Sequence, residues 1–129
     1  SGSNLKISDI LINLVGDKAL SIGEASSVKF KNILIKNTST GVAVKDTSIV
    51  EIENIEMEDI SNDAFMTYIK KPFFKGDTSL KVINLSKAVN IKGSLCTSTK
   101  NTYAEINGDI CKISNLNVKA LYQLSSMKK

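Results

Sequence analysis

The sequence predicts an all-β fold, a single-stranded right-handed parallel β-helix of about five coils. Three observations lead there. A short motif recurs at a near-constant interval, its apolar residues alternate with polar ones, and a second strand-like run recurs at the same interval between copies. The motif reads apolar, any, apolar, spacer, Asn or Asp, then Ile or Leu. It occurs at Leu5 to Ile10, Val28 to Ile33 and Val50 to Ile55, 23 and 22 residues apart. Looser copies at Leu80 to Leu85 and Cys111 to Leu116 follow after intervals of 30 and 31 residues, which leaves room for insertions. Parallel rungs of this kind stack about 4.8 Å apart, so five of them make a rod on the order of 25 Å long.

Each element follows from its alternation. In the second copy Val28, Phe30, Ile33 and Ile35 face one side, and Lys29, Lys31, Leu34 and Lys36 the other. In the third, Val50, Ile52, Ile55 and Met57 are set against Glu51, Glu53, Glu56 and Glu58. The Asn between the apolar pairs resets the phase and predicts a short turn, for which its tolerance of left-handed backbone angles suits it. Asn32 above Asn54 predicts an amide ladder between coils. The second strand family pairs Ala19 to Ile22 with Gly41 to Val44, and, with a small insertion, with Met66 to Ile69. Glu56 to Glu58 is expected at a corner and Lys100 to Thr102 in a loop, with insertions around Pro72 to Ser79 and Leu95 to Ala104. The segment Val118 to Met127 is the best helix candidate, suited to cap the last coil. A sandwich is disfavoured because Asn-Gly hairpin turns are scarce, and a helical fold because the 3.6-residue period is missing.

Composition narrows the function. A chain of 129 residues is one domain, and 42% apolar with 23% charged residues is ordinary for a folded protein. Trp and His are absent and aromatics are 5%, so the core is built from Ile, Leu and Val. The net charge of +4 comes from Lys, because the chain has no Arg. Without guanidinium forks or a stacking platform, a nucleic-acid partner is not expected. No apolar run is long enough for a membrane-spanning helix. Cys96 and Cys111 are too few for a zinc site; Cys111 falls on an apolar motif position and reads as a small buried hydrophobe, while a bridge to Cys96 is open but not required. Ser1 to Ser3 looks like a cloning remnant, and residues 4 to 129 are expected to be one β-helix domain from a larger protein.

Aligning the second strand family also aligns the residues after it. Glu24, Asp46 and Lys71 then form one ladder, with Lys45 beside Lys70 and with Ser21, Ala43 and Tyr68 pointing outward. A strip of carboxylates, amines and one ring is suited to a sugar, and Glu24, Lys45, Asp46, Tyr68, Lys70 and Lys71 are its candidate ligand-binding residues. The bland alternative is a solvated row of charges relieving one another at about 0–1 kcal/mol per pair. Glu24 and Asp46, stacked, have the about 5 Å spacing of a retaining glycosidase pair, and any in-register acid ladder has the same spacing. No catalytic residue, metal or cofactor is assigned, and phosphate-loop, metalloprotease and nucleophile-elbow motifs are missing.

The runs Gly16 to Glu24, Gly41 to Ser48 and Tyr68 to Lys71 resemble the β-helix domains of bacterial capsule-associated and spore-coat-H-like (CotH-like) proteins. The likeness covers roughly residues 5 to 72. It implies a parallel β-helix and a place at the bacterial cell envelope or surface. The expected function is a non-catalytic module that binds or presents an anionic or neutral surface polysaccharide. Two alternatives stand beside it: the C-terminal part of an enzyme that makes or cuts an anionic capsule polymer, and a structural rod. The expected partners are a polysaccharide, the rest of a parent protein and a second copy, packed end to end or side by side.

Overall fold

The computed structural model describes residues 4–13, 16–70 and 77–113, and shows a parallel β-solenoid of about four turns. The long rungs are β1 (Asn4–Asn13), β3 (Ser27–Thr38), β5 (Ile49–Ile60), β7 (Thr78–Ile91) and β9 (Thr102–Ile106). The short rungs between them are β2 (Lys18–Ile22), β4 (Thr40–Lys45), β6 (Phe65–Tyr68) and β8 (Cys96–Ser98). A two-residue strand, β10 (Asp109–Ile110), closes the series. The first sheet has the order β1-β3-β5-β7-β9-β10 and the second β2-β4-β6-β8. Every rung-to-rung pairing is parallel; β10 alone folds back antiparallel on β9.

The alternation read from the sequence sets the core. Val28, Phe30, Ile33 and Ile35 stack on Val50, Ile52, Ile55 and Met57 in register, and all eight are buried. β4 lies on β2 as expected, with Leu20 opposite Val42 and Ile22 opposite Val44. Gly41 is where β4 passes closest to its neighbours. A Cβ there would sit 2.5 Å from the Ala64 carbonyl oxygen and 2.6 Å from Met57 Cε, so no larger residue fits without displacing backbone.

The amide ladder is present. Asn32 Nδ2 donates to Asp9 Oδ1 at 2.9 Å, Asn54 Nδ2 to Asn32 Oδ1 at 3.3 Å and Asn84 Nδ2 to Asn54 Oδ1 at 3.1 Å. The expected turn at these positions is not. β1, β3, β5 and β7 run through Asp9, Asn32, Asn54 and Asn84 without a break, and none of the four has a positive φ. The phase shifts because two successive residues, such as Lys31 and Asn32, both face solvent. Left-handed backbone lies instead at the strand ends, at Asn37, Asp59 and Asn90 (φ 57°, 58° and 58°). These form a second polar ladder, in which Asn37 donates to Asn13 and Asn90 to Asp59. Asn and Asp suit these corners because short polar side chains tolerate the left-handed region. Asn54→Leu, which breaks two rungs of the first ladder, is expected to cost about 1 kcal/mol, since both bonds are solvent-exposed. Chemical denaturation checks this.

Several expectations need correction. Met57 is fully buried inside β5, so Glu56 to Glu58 is strand and not corner. Leu95 to Ala104 is not a simple insertion, because β8 and the start of β9 lie within it, joined by a tight turn at Lys100 and Asn101. The fifth rung is β9, with Ala104 under Leu80 and Ile106 under Val82, rather than a strand starting at Cys111. Cys111 is no free hydrophobe: it is bridged to Cys96. The candidate helix from Val118 to Met127 lies outside the described residues.

Candidate functional site

The predicted strip starts in register and then leaves it. Ile22 opposite Val44 brings Glu24 level with Asp46, and Ala25 N donates to Asp46 O at 2.9 Å. Both corners use a pair of left-handed residues, Glu24 and Ala25, then Asp46 and Thr47 (φ 59°, 58°, 53° and 61°). The third coil is shifted by two residues from the expected alignment. Phe65, not Thr67, lies opposite Val42, and Lys45 lies opposite Tyr68 rather than beside Lys70. Phe65 takes the core position because one extra residue in the preceding corner delivers it there: Thr38 pairs with Ile60, 22 residues on, and Val42 with Phe65, 23 on. Asp46 therefore lines up with Ile69. Lys71 lies outside the described residues.

Exposure changes the strip's meaning further. Tyr68 and Asp46 are both 0% exposed. Ala43 and Met66, on the face of the second sheet away from the core, are closed to solvent as well. The Tyr68 ring therefore offers no face to a sugar. Asp46 Oδ1 accepts from the Lys70 backbone N–H at 2.8 Å, which makes its carboxylate a fastening for the start of the next loop. A buried Asp46 also cannot join Glu24 across a glycosidic bond. Lys45 is half-buried, its stem laid across Gly23; a Cβ on Gly23 would come within 2.8 Å of Lys45 Cε. Glu24 and Lys70 are exposed. Beside them stands Lys18, whose ammonium is pushed below the usual lysine range, mainly by burial; Asp17 opposes that shift and Lys70 adds to it.

An open surface lies elsewhere, on the outer face of the first sheet. A groove of about 560 Å³ crosses the first four long rungs, lined by Lys6, Ile7, Ser8, Lys29, Phe30, Lys31, Glu51, Glu53 and Ile83. Its geometry follows from alternation, since these are the outward partners of the core residues. Register places Lys6, Lys29, Glu51, Lys81 and Glu105 in one row along the rod. The adjacent row holds Ile49, Ser79 and Tyr103. Ile49, Ile83 and Tyr103 are 53%, 51% and 41% exposed, which gives this face apolar and aromatic surface among its charges. Tyr103 donates through its hydroxyl to Glu105 Oε1 at 2.8 Å, and this bond holds its phenol above the usual tyrosine range.

The charges on this face are banded by rung. β3 presents Lys29, Lys31 and Lys36, β5 presents Glu51, Glu53, Glu56 and Glu58, and β7 presents Lys81 and Lys87. Lys29 pairs with Glu51 at 3.9 Å and Lys36 with Glu58 at 3.5 Å, and Lys87 bonds Glu58 from the other side. The Lys87 bond is the main cause of a Glu58 carboxyl held below the ordinary carboxylate range; burial opposes it and Lys36 adds to it. The same bond raises Lys87. A lowered carboxyl favours the folded state above its unfolded pKa, and that benefit is lost only as pH falls through the folded value.

Alternation marked Lys29, Lys31, Lys36, Glu51, Glu53, Glu56 and Glu58 as outward without singling them out, because it gives the direction of a side chain and not the shape of the surface it meets. Among the described residues, no group of three or more Cys, Asp or Glu stands ready to hold a metal ion. No known protein family, curated protein or solved structure matches the chain.

Proposed function

We propose that this solenoid is a non-catalytic module that binds or presents a surface polysaccharide, and that the ligand lies on the outer face of the first sheet. The observation that carries this reading is the groove itself, in which Lys6, Lys29 and Lys31 from two successive rungs lie beside Glu51 and Glu53 of the next, with exposed Ile83 on the rung beyond. Lysine ammonium groups suit the acidic groups of a uronate or teichoic chain, carboxylates accept from sugar hydroxyls, and exposed Ile83 and Tyr103 supply flat apolar contact. The rungs, about 4.8 Å apart, set contacts of changing charge along a polymer. A ligand of this class is also what the resemblance read from residues 5 to 72 of the sequence implies.

An array of capsule, teichoic and uronate polymers tests this. The wild-type chain is expected to bind an acidic polymer, and Lys29→Ala/Lys31→Ala to weaken that binding roughly tenfold or more, with a flatter salt dependence. Absence of binding to any polymer by the wild-type chain sinks the reading. A second reading, a structural rod, is favoured by the cross-rung pairs Lys29–Glu51 and Lys36–Glu58, which use some of the same charges to join rungs. It predicts that the double variant loses a little stability and nothing else.

A further inference from the structure

The groove is longer along the rod than across it. It takes in residues 6–8 of β1, 29–31 of β3, 51 and 53 of β5 and 83 of β7. Three rung steps make its length about 14 Å, while two residues of extended chain make its width about 7 Å. A polymer in it therefore lies lengthwise and crosses the rungs one after another. On that path it meets Lys6, then Lys29 and Lys31, then Glu51 and Glu53, then Ile83. The sign of the charge reverses within one step.

Two rows of side chains make up the path, and their charges are differently committed. In one row Lys29 and Glu51 pair loosely, at 3.9 Å, with 65% and 39% of their side chains exposed. In the other, Lys31 stands beside Glu53, since Phe30 lies opposite Ile52 and Asn32 opposite Asn54. Both are exposed, and neither forms an ion pair among the described residues. The same row continues to Ile83 on β7, which is 51% exposed. An amine and a carboxylate on rungs about 5 Å apart are thus open to a ligand, with an apolar side chain one rung further.

A purely acidic polymer cannot use both. Laid along the groove, its acid groups gain at Lys31 and are repelled one rung later at Glu51 and Glu53. A polymer with an acid and a free amine on neighbouring sugars answers each charge in turn, and the apolar face of a ring covers Ile83. We propose that the groove selects a zwitterionic glycan, in which an acidic sugar alternates with an amino sugar whose amine is free. The acid lies at Lys31 and the ammonium at Glu53. This inference rests on the carbohydrate reading and narrows it to one class of polymer.

Two forms of one polymer test it: alternating glucuronate and N-acetylglucosamine, and the same chain with its acetyl groups removed. They are compared below neutral pH, where the freed amines are protonated. General attraction to the net charge of +4 favours the acetylated form, which carries the larger negative charge. The proposed site favours the other, which is expected to bind roughly fivefold more tightly. Glu53→Gln is expected to reduce that preference to less than about twofold. Glu53 is exposed and bridges no rungs by an ion pair among the described residues, so the variant keeps the fold. Three results overturn the inference and leave the carbohydrate reading standing: equal or tighter binding of the acetylated form, a preference that survives Glu53→Gln, or no binding of the freed-amine form by a protein that binds other acidic polymers. Absence of binding to any acidic polymer overturns both.

Discussion

Replacing both cysteines, as Cys96→Ala/Cys111→Ala, is expected to lower the unfolding free energy by about 3 kcal/mol, the chain-entropy value for a loop of this size. The bridge closes a loop of 15 residues that contains β8, β9 and β10. Cys96 lies opposite buried Phe65, and Cys111 packs against the same core. The linkage therefore fastens the return hairpin that covers the last rung. Without it, the short strands β8 and β10, three and two residues long, rely on few pairings of their own. The interior beside them is polar: Thr67, Ser98 and Thr102 bond one another through their hydroxyls at 2.6, 2.8 and 2.9 Å where earlier coils place Ile22 and Val44. Urea unfolding of the double variant checks the figure, and reduction of the wild-type chain should give a similar loss. A change below about 1 kcal/mol would show that the hairpin is held without the bridge.

Asp46→Leu is expected to destabilise by about 2–4 kcal/mol, and Asp46→Asn by no more than about 1 kcal/mol. The leucine removes the acceptor of the Lys70 N–H in a fully buried site, at about 1–3 kcal/mol. It also places a bulky side chain at a left-handed φ of 53°, which adds about 1 kcal/mol. Asparagine keeps an acceptor oxygen and tolerates the backbone. The contrast between the two variants separates a fastening from a ligand contact. A solvated charge in a binding strip would give little loss of stability with either. Thermal or urea unfolding of both variants decides it.

The parts of this fold that were legible in the sequence are those that depend on period alone. Alternation assigned Val28, Phe30, Ile33 and Ile35 and their partners in β5 to the core. Equal spacing aligned β2 with β4, and the recurring Asn predicted the step from Asn32 to Asn54 of a ladder that the structure extends to Asp9 and Asn84. What escaped depends on something other than period. Phe65-Met66-Thr67-Tyr68 keeps the same faces when shifted by two residues, so the length of the preceding corner, and not alternation, decided that Phe65 rather than Thr67 lies opposite Val42. Tyr68 points away from the core as expected, yet it is buried, because alternation does not say what lies over the outer face. The rung at Tyr103 to Ile106 was hidden by Ala104, a small residue in a column otherwise filled by Val28, Val50 and Leu80. The ladder at Asn37, Asp59 and Asn90 lies at corners, where spacing is read less easily than within strands. The candidate site moved for the same reasons. Residues chosen for aligned charge proved partly buried, while the groove arose from ordinary outward positions on adjacent rungs.

The proposed ligand meets the outer face of the first sheet and not the corner strip. Titration of the isotope-labelled chain with an acidic oligosaccharide, followed by amide NMR, tests this most directly. Shifts are expected to concentrate at Lys6, Ser8, Lys29, Lys31, Glu51, Glu53 and Ile83, with Glu24, Lys45 and Lys70 unmoved. Shifts confined to Glu24, Lys45 and Lys70, with the groove residues unchanged, would contradict it.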